Sequence, residues 1–160
     1  MIIEFNPFSK SSIKDAQKQL EDYKKIVESK RAEFIRRLAE KGMNEASIRF
    51  TGAEYDGTND VTVTTLDTGD SIKVIANGKA VCFIEFGAGV ARGVGYPDEW
   101  KPDGIVGLGE YGKGHGATGL PWYYAHGKMT DGNPPAMAML GARDLMVEQV
   151  TQIAREVFGK

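Results

Sequence analysis

Glycine is concentrated in one part of this chain, because 13 of its 20 glycines fall between Gly87 and Gly132. The share of glycine in that interval is several times the roughly 7% that is usual in globular proteins. Glycine loses more backbone freedom on folding than any other residue, so neither a helix nor an ordinary sheet is expected there. We therefore predict a glycine-rich loop over residues 87–132.

The whole chain has the composition of one globular domain. It has 160 residues, of which 41% are hydrophobic and 26% charged, which is enough for a single core. The formal net charge of -2 provides no general basic field, so binding of DNA by the whole molecule is disfavoured and we expect no sequence-specific nucleic-acid partner. No apolar run approaches the roughly 18 residues of a membrane span, and no signal-peptide pattern opens the chain. We expect synthesis in the cytoplasm and no membrane partner.

A long helix is predicted after an N-terminal arm, residues 1–11. Ser12 and Asp15 resemble a capping box, and Gly42 is a natural stop. Apolar residues recur between them at spacings of three and four, broken only at Lys30 and Arg31: Ile13, Ala16, Leu20, Tyr23, Val27, Phe34, Ile35 and Leu38. Thirty helical residues span about 45 Å, more than a domain of this size needs for its own core. Part of the helix is expected to project or to contact a neighbouring subunit; a solvated helix along a sheet is the alternative.

A four-stranded antiparallel meander is predicted over residues 47–86, where the hydrophobic period changes to two. Residues 61–64 are rich in β-branched side chains, and residues 68–70 offer a turn. Asn77-Gly78 is a strong hairpin signal, and the apolar run 81–86 after it is predicted as the last, covered strand.

A C-terminal helix is predicted from the prolines near residue 134 to about Phe158. Asn133 would be its cap, and Pro134 and Pro135 would occupy the first helical positions, which tolerate proline. A wide apolar stripe would pack this helix on the sheet. The order of elements predicts an α+β fold, with residues 12–160 as one domain and the loop as an insertion.

Catalytic and cofactor motifs are missing from the chain. The segment 109–114 has neither the spacing nor the hydroxyl of a phosphate-binding loop. His115 and His126 are the only histidines and are not spaced as a helical zinc pair, so a metal hydrolase built on them and Glu85 is a remote option. We expect no enzyme activity, cofactor or metal. Glu85 is interpreted as a structural acid that accepts hydrogen bonds from loop amides or pairs with an arginine such as Arg92.

Aromatic residues in the loop predict that it docks. A disordered linker is normally poor in such residues, and tryptophan and tyrosine anchor interfaces. An alternative is a loop that folds back over its own sheet as a lid. The candidate assembly interface consists of Trp100, Tyr111, Trp122, Tyr123 and Tyr124.

Four segments in order resemble the Hong Kong 97-type minor tail or neck proteins of long-tailed bacteriophages. They are residues 80–90, which include Glu85, Phe86, Gly87 and Gly89; residues 109–114; residues 122–124; and residues 132–137, which include Asn133, Pro134 and Pro135. Ala88 stands where the family commonly has threonine, and residues 136–139 replace a more aromatic stretch, so the roles of those family residues do not carry over.

The resemblance implies a non-enzymatic structural component of a phage or prophage virion, assembled in the host cytoplasm. It would act in tail completion or head–tail joining as a ring-forming subunit, commonly six-fold. Its partners would be other copies of itself and head-completion, tail-terminator or tail-tube proteins. The alternative function is a small ligand- or peptide-binding module that uses residues 87–132.

Overall fold

The computed structural model describes residues 2–55, 57–88, 95–100, 122–123, 129–130 and 132–159. The elements follow in the order α1 (Lys10–Thr51), β1 (Thr62–Asp67), β2 (Ile72–Asn77), α2 (Val81–Phe86), β3 (Trp122–Tyr123), β4 (Met129–Thr130) and α3 (Ala138–Phe158), with a 3-10 turn at Asp98–Trp100. The predicted α+β class, the long N-terminal helix and the C-terminal helix are confirmed. The predicted four-stranded meander is wrong.

Helix α1 is longer than predicted at both ends. It has 42 residues and therefore spans about 63 Å. Ser9, not Ser12, is its cap, because the Ser9 hydroxyl accepts the amide hydrogen of Ser12 at 3.4 Å. The predicted stop at Gly42 is also wrong, since the helix continues to Thr51. A Cβ on Gly42 would lie 2.6 Å from Sδ of Met146, so this glycine makes room for a neighbouring helix.

Strands β1 and β2 form an antiparallel hairpin in which Thr62 lies opposite Asn77 and Asp67 opposite Ile72. The turn between them contains Gly69, whose φ of 84° is favoured by glycine. The outer two strands of the predicted meander are helical instead: residues 47–51 complete α1, and residues 81–86 form α2. Strands β3 and β4 pair separately, with two residues each.

Helix α2 forms where the apolar run predicts a strand. Asp60 acts as a remote cap, because its carboxylate accepts the amide hydrogens of Lys79 at 2.7 Å and Ala80 at 3.1 Å. These hydrogen bonds lower the pKa of Asp60. Gly78 permits this approach, since a Cβ there would lie 2.8 Å from Oδ1 of Asp60. The Asn77-Gly78 pair therefore leads from β2 into a helix, and the hairpin predicted at this pair is wrong.

Helix α3 packs antiparallel along α1, not on the sheet as predicted. Its C-terminal end lies at Phe34, whose ring centroid is 5.9 Å from that of Phe158, and its N-terminal part lies near the end of α1. The β1–β2 hairpin also packs on α1. The buried core lies where the end of α1, α2 and the start of α3 meet: Ala46, Phe50, Ala80, Ile84, Ala138 and Ala142.

Candidate functional site at the base of the glycine-rich loop

The two ends of the glycine-rich segment are hydrogen-bonded to each other. The amide of Ala88 donates to the carbonyl of Asn133 at 2.9 Å, and the amide of Asn133 donates to the carbonyl of Ala88 at 2.8 Å. The amide of Ala136 then donates to the carbonyl of Ile84 at 2.8 Å, at the end of α2. We call these two segments, residues 83–88 and 133–137, the clasp.

Asn133 also holds the clasp through its side chain. Its Nδ2 donates to the carbonyl of Phe83 at 2.9 Å, which satisfies an acceptor in α2. Asn133 was predicted as the cap of the last helix, with Pro134 and Pro135 inside that helix. This is wrong, because α3 begins only at Ala138. The Asn-Pro-Pro segment is instead the extended half of the clasp.

Gly87 is the point of closest approach in the clasp. Its φ is 75°, a conformation that side chains rarely adopt. A Cβ at this position would lie 2.6 Å from the backbone nitrogen of Pro135 and 2.9 Å from the carbonyl oxygen of Asn133. Glycine is therefore required at position 87 for two separate reasons, backbone conformation and space.

Glu85 caps helix α3 from within the clasp. The side chain is buried, with 3% of its surface exposed. Its Oε2 accepts the amide hydrogen of Met139 at 2.9 Å, and its Oε1 accepts that of Leu140 at 3.2 Å. The first amides of a helix have no partner within the helix, and their dipoles favour a negative charge. Met137, the residue just before α3, makes no capping hydrogen bond with its side chain. Glu85, which is remote from α3 in the sequence, caps the helix instead.

Tyr96 completes the site, and sequence reasoning missed it as a site residue. Its hydroxyl donates to Oε1 of Glu85 at 2.9 Å, and its ring meets Phe86 edge-on at 4.8 Å. Glu85 does accept hydrogen bonds, but its donors are Tyr96 and the first amides of α3 instead of the predicted loop amides. The predicted partner Arg92 lies outside the described residues. No motif or residue spacing predicts the contact between Tyr96 and Glu85, because the contact depends on the tertiary structure.

Burial raises the pKa of the Tyr96 phenol, and the negative charge of Glu85 raises it further. Unfolded tyrosine ionises near pH 10. Because the pKa is higher in the folded state, the contribution of Tyr96 to stability is fully present below about pH 10 and is lost as the pH rises above it. We expect urea unfolding of the Tyr96→Phe variant to depend less steeply on pH between about 9 and 11 than that of the original chain. Equal slopes would show that the phenol is not buried against Glu85.

The predicted aromatic interface is described only in part. Trp100 ends the 3-10 turn and is 46% exposed. The guanidinium of Arg143 lies over its ring, 4.4 Å from the ring centroid. Trp122 and Tyr123 form β3, with Trp122 opposite Thr130 of β4. Tyr111, Tyr124 and Gly89 lie outside the described residues.

The arrangement of the clasp suits a structural role. Glu85 accepts three hydrogen bonds, so one buried carboxylate ties the end of α2, the start of α3 and Tyr96 into one unit. Within the described part of the chain, no three His, Cys, Asp or Glu side chains are grouped as metal ligands. Nor does any helix described there have an apolar stretch that would cross a bilayer. Comparison of the chain with protein-family models, curated proteins and solved structures finds no match.

Proposed function

We propose that this chain is a non-enzymatic structural component of a bacteriophage or prophage neck or tail. It acts in tail completion or head–tail joining, as a subunit of a ring that we take to be six-fold. It is assembled in the host cytoplasm and resides in the virion. It contacts its own copies and head-completion, tail-terminator or tail-tube proteins.

The observation that carries the proposal is the meeting of two resemblance motifs in one site. Glu85-Phe86-Gly87 and Asn133-Pro134-Pro135 are separated by the whole glycine-rich segment, yet they form the clasp. A clasp fixes both ends of the segment on a folded body. A long segment anchored at its base and rich in Trp and Tyr is suited to docking on a neighbouring protein.

An exposed stretch in the N-terminal part of α1 supports an assembly role. Residues 17–29 are all exposed, including four large apolar side chains: Leu20, Tyr23, Ile26 and Val27. A helix in a monomer normally covers its apolar stripe against its own core. A stripe left open in one copy is typical of a subunit that completes its packing in an assembly.

The proposal is tested by looking for the chain in purified phage particles. Prophage induction in the organism that encodes the chain, followed by purification of tailed particles, should place the chain in the tail or neck fraction by mass spectrometry. The purified chain should also form larger species as its concentration rises, as measured by sedimentation velocity.

Two outcomes would contradict the proposal. One is a chain that stays monomeric at every concentration and is missing from particles in which capsid and tail-tube proteins are identified. The other is a monomer whose melting temperature rises with one small molecule or peptide, which would support the alternative binding module on residues 87–132.

A further inference from the structure

Strand β1 has a free edge. It pairs with β2 in a two-stranded sheet, so one side of β1 has no strand partner in the described part of the chain. Five of the six residues of β1 are exposed, including Leu66 at 50%, whereas four of the six residues of β2 are partly buried. The sequence of β1 contains no proline or lysine, two residues that prevent pairing at natural sheet edges. The edge of β1 is therefore an unprotected template for another strand.

The backbone groups on this free edge belong to Val63, Thr65 and Asp67. Beside the turn of the hairpin, the amide of Thr68 donates to the carbonyl of Ser71 at 2.9 Å. Hydrogen-bonded pairs alternate along an antiparallel ladder, so every second residue before Thr68 directs its backbone groups towards β2. The amides and carbonyls of the residues between them point outward, where an added strand would pair.

The segment before α1 also has unpaired backbone groups. Residues 2–5, which we call the apolar arm, belong to no helix or strand, and their backbone makes no hydrogen bond to any described residue. Ile2 and Phe5 are 87% and 57% exposed, and both residue types favour strands. A turn separates the apolar arm from α1, because the amide of Ser9 donates to the carbonyl of Asn6 at 3.1 Å.

Helix α1 holds the apolar arm away from the hairpin of the same molecule. The hairpin lies along the later part of α1: its turn contacts Arg31, whose Nη2 donates to the carbonyl of Asp70 at 3.0 Å. Arg31 lies about 32 Å along the helix from Lys10. Residues 2–9 would span at most about 29 Å if fully extended, and the turn before α1 shortens that reach. The apolar arm therefore does not reach its own β1.

We propose that the apolar arm of one copy adds to the free edge of β1 in a second copy, as a third strand of the sheet. The two elements complement each other, because each has unpaired backbone donors and acceptors and neither is covered within its own molecule. In such strand addition, main-chain hydrogen bonds supply affinity and alternate side chains supply specificity. The apolar side chains of the arm would be covered beside Val63 on one face of the sheet and Leu66 on the other.

The inference rests on the proposed function, because it names a contact through which copies of a virion subunit meet. The contact joins two different surfaces, so each copy donates its arm to one neighbour and accepts the arm of another. Such a head-to-tail contact closes into a ring when the rotation between copies allows it, and forms a filament otherwise.

Two variants that each lack one half of the contact test the inference. The arm variant carries Ile2→Ser, Ile3→Ser and Phe5→Ser and keeps its β1. The edge variant carries Thr65→Pro, which removes an outward amide, and keeps its arm; edge strands tolerate proline where the N–H faces solvent. Circular dichroism checks that both are folded. If Thr65→Pro unfolds the chain, Leu66→Lys replaces it, since a lysine on an edge strand also blocks pairing.

Sedimentation velocity of the concentrated proteins gives the readout. Each variant alone should associate at least about tenfold more weakly than the original chain, because burial of one large apolar side chain changes an association constant by about that factor. An equimolar mixture should form dimers and stop there, since only the arm of the edge variant and the edge of the arm variant are intact. Phe8→Ser is the matched control: Phe8 is 96% exposed but lies outside the apolar arm, so association should not change.

Three results would overturn the inference: an arm variant that associates as strongly as the original chain, a mixture that associates no more than its components, or an original chain that stays monomeric up to its solubility limit. Particle incorporation is measured separately by mass spectrometry. A chain that pairs through arm and edge but is missing from particles would reject only the proposed function. A chain found in particles whose arm variant associates normally would reject only the strand addition.

Discussion

Replacing Glu85 by alanine is expected to lower the free energy of unfolding by about 3–5 kcal/mol, because it leaves one buried and two partly buried donors without a partner. The amides of Met139 and Leu140 and the hydroxyl of Tyr96 all donate to this carboxylate. Each unpaired buried donor costs about 1–3 kcal/mol, and the start of α3 also loses its interaction with a negative charge. Urea unfolding followed by circular dichroism measures the loss.

Two further variants separate the capping role of Glu85 from the loss of side-chain volume. Glu85→Gln keeps the shape and one acceptor oxygen, so we expect roughly half of the alanine effect. Glu54→Ala removes an exposed carboxylate and should change stability by less than about 0.5 kcal/mol. If Glu85→Ala is as stable as Glu54→Ala, the carboxylate does not cap α3.

Replacing Gly87 by alanine is expected to cost about 3–4 kcal/mol, since strain and a steric clash add. The backbone conformation alone, with φ 75° and ψ 171°, lies in a region that essentially only glycine adopts, and it costs an alanine about 1–3 kcal/mol. The added Cβ would lie 2.6 Å from the nitrogen of Pro135, and that atom is backbone and cannot rotate away. The two halves of the clasp would have to separate, which would weaken the bridge between Ala88 and Asn133.

Gly69→Ala is the matched control for Gly87→Ala. Gly69 has a φ of 84°, close to the 75° of Gly87, but nothing lies within 4 Å of a Cβ built there. Alanine at position 69 should therefore cost only the conformational strain, about 1–2 kcal/mol. A lower urea midpoint for Gly87→Ala than for Gly69→Ala would support the close approach in the clasp, and equal midpoints would argue against that approach.

Local sequence patterns predicted the presence of the two long helices better than the residues at which these helices begin and end. The spacing of apolar residues in α1 indicated a long helix, but Ser12 and Gly42 misplaced its limits. Ser12 instead accepts a hydrogen bond from the amide of Asn6 at 2.8 Å, and Gly42 lies under Met146. A serine or a glycine can lie at a helix end or in a packing contact, and the residue type alone does not show which. Only the residues around it in the structure distinguish the two roles.

Several residues of the candidate site were singled out from the sequence, but their spatial arrangement was not predicted. Glu85 was interpreted as a structural acid but with other donors, and Gly87 and Asn133 were identified as motif residues. The strand assigned to residues 81–86 was wrong, because a short apolar run suits a strand or a buried helix equally well. Here the cap from Asp60 and the burial of Ile84 favour the helix.

The sequence by itself determined the amphipathic α1, the β1–β2 hairpin with its turn, and the position of the glycine-rich segment, because each depends on residues close together in the chain. Only the tertiary structure decided α2, the start of α3 and the clasp. Asp60 accepts amide hydrogens 19 and 20 residues away, just before α2, and Glu85 accepts one 55 residues away. Hydrogen-bond partners at such separations leave no periodic trace in a sequence, so they emerge only when the folded backbone brings the groups together.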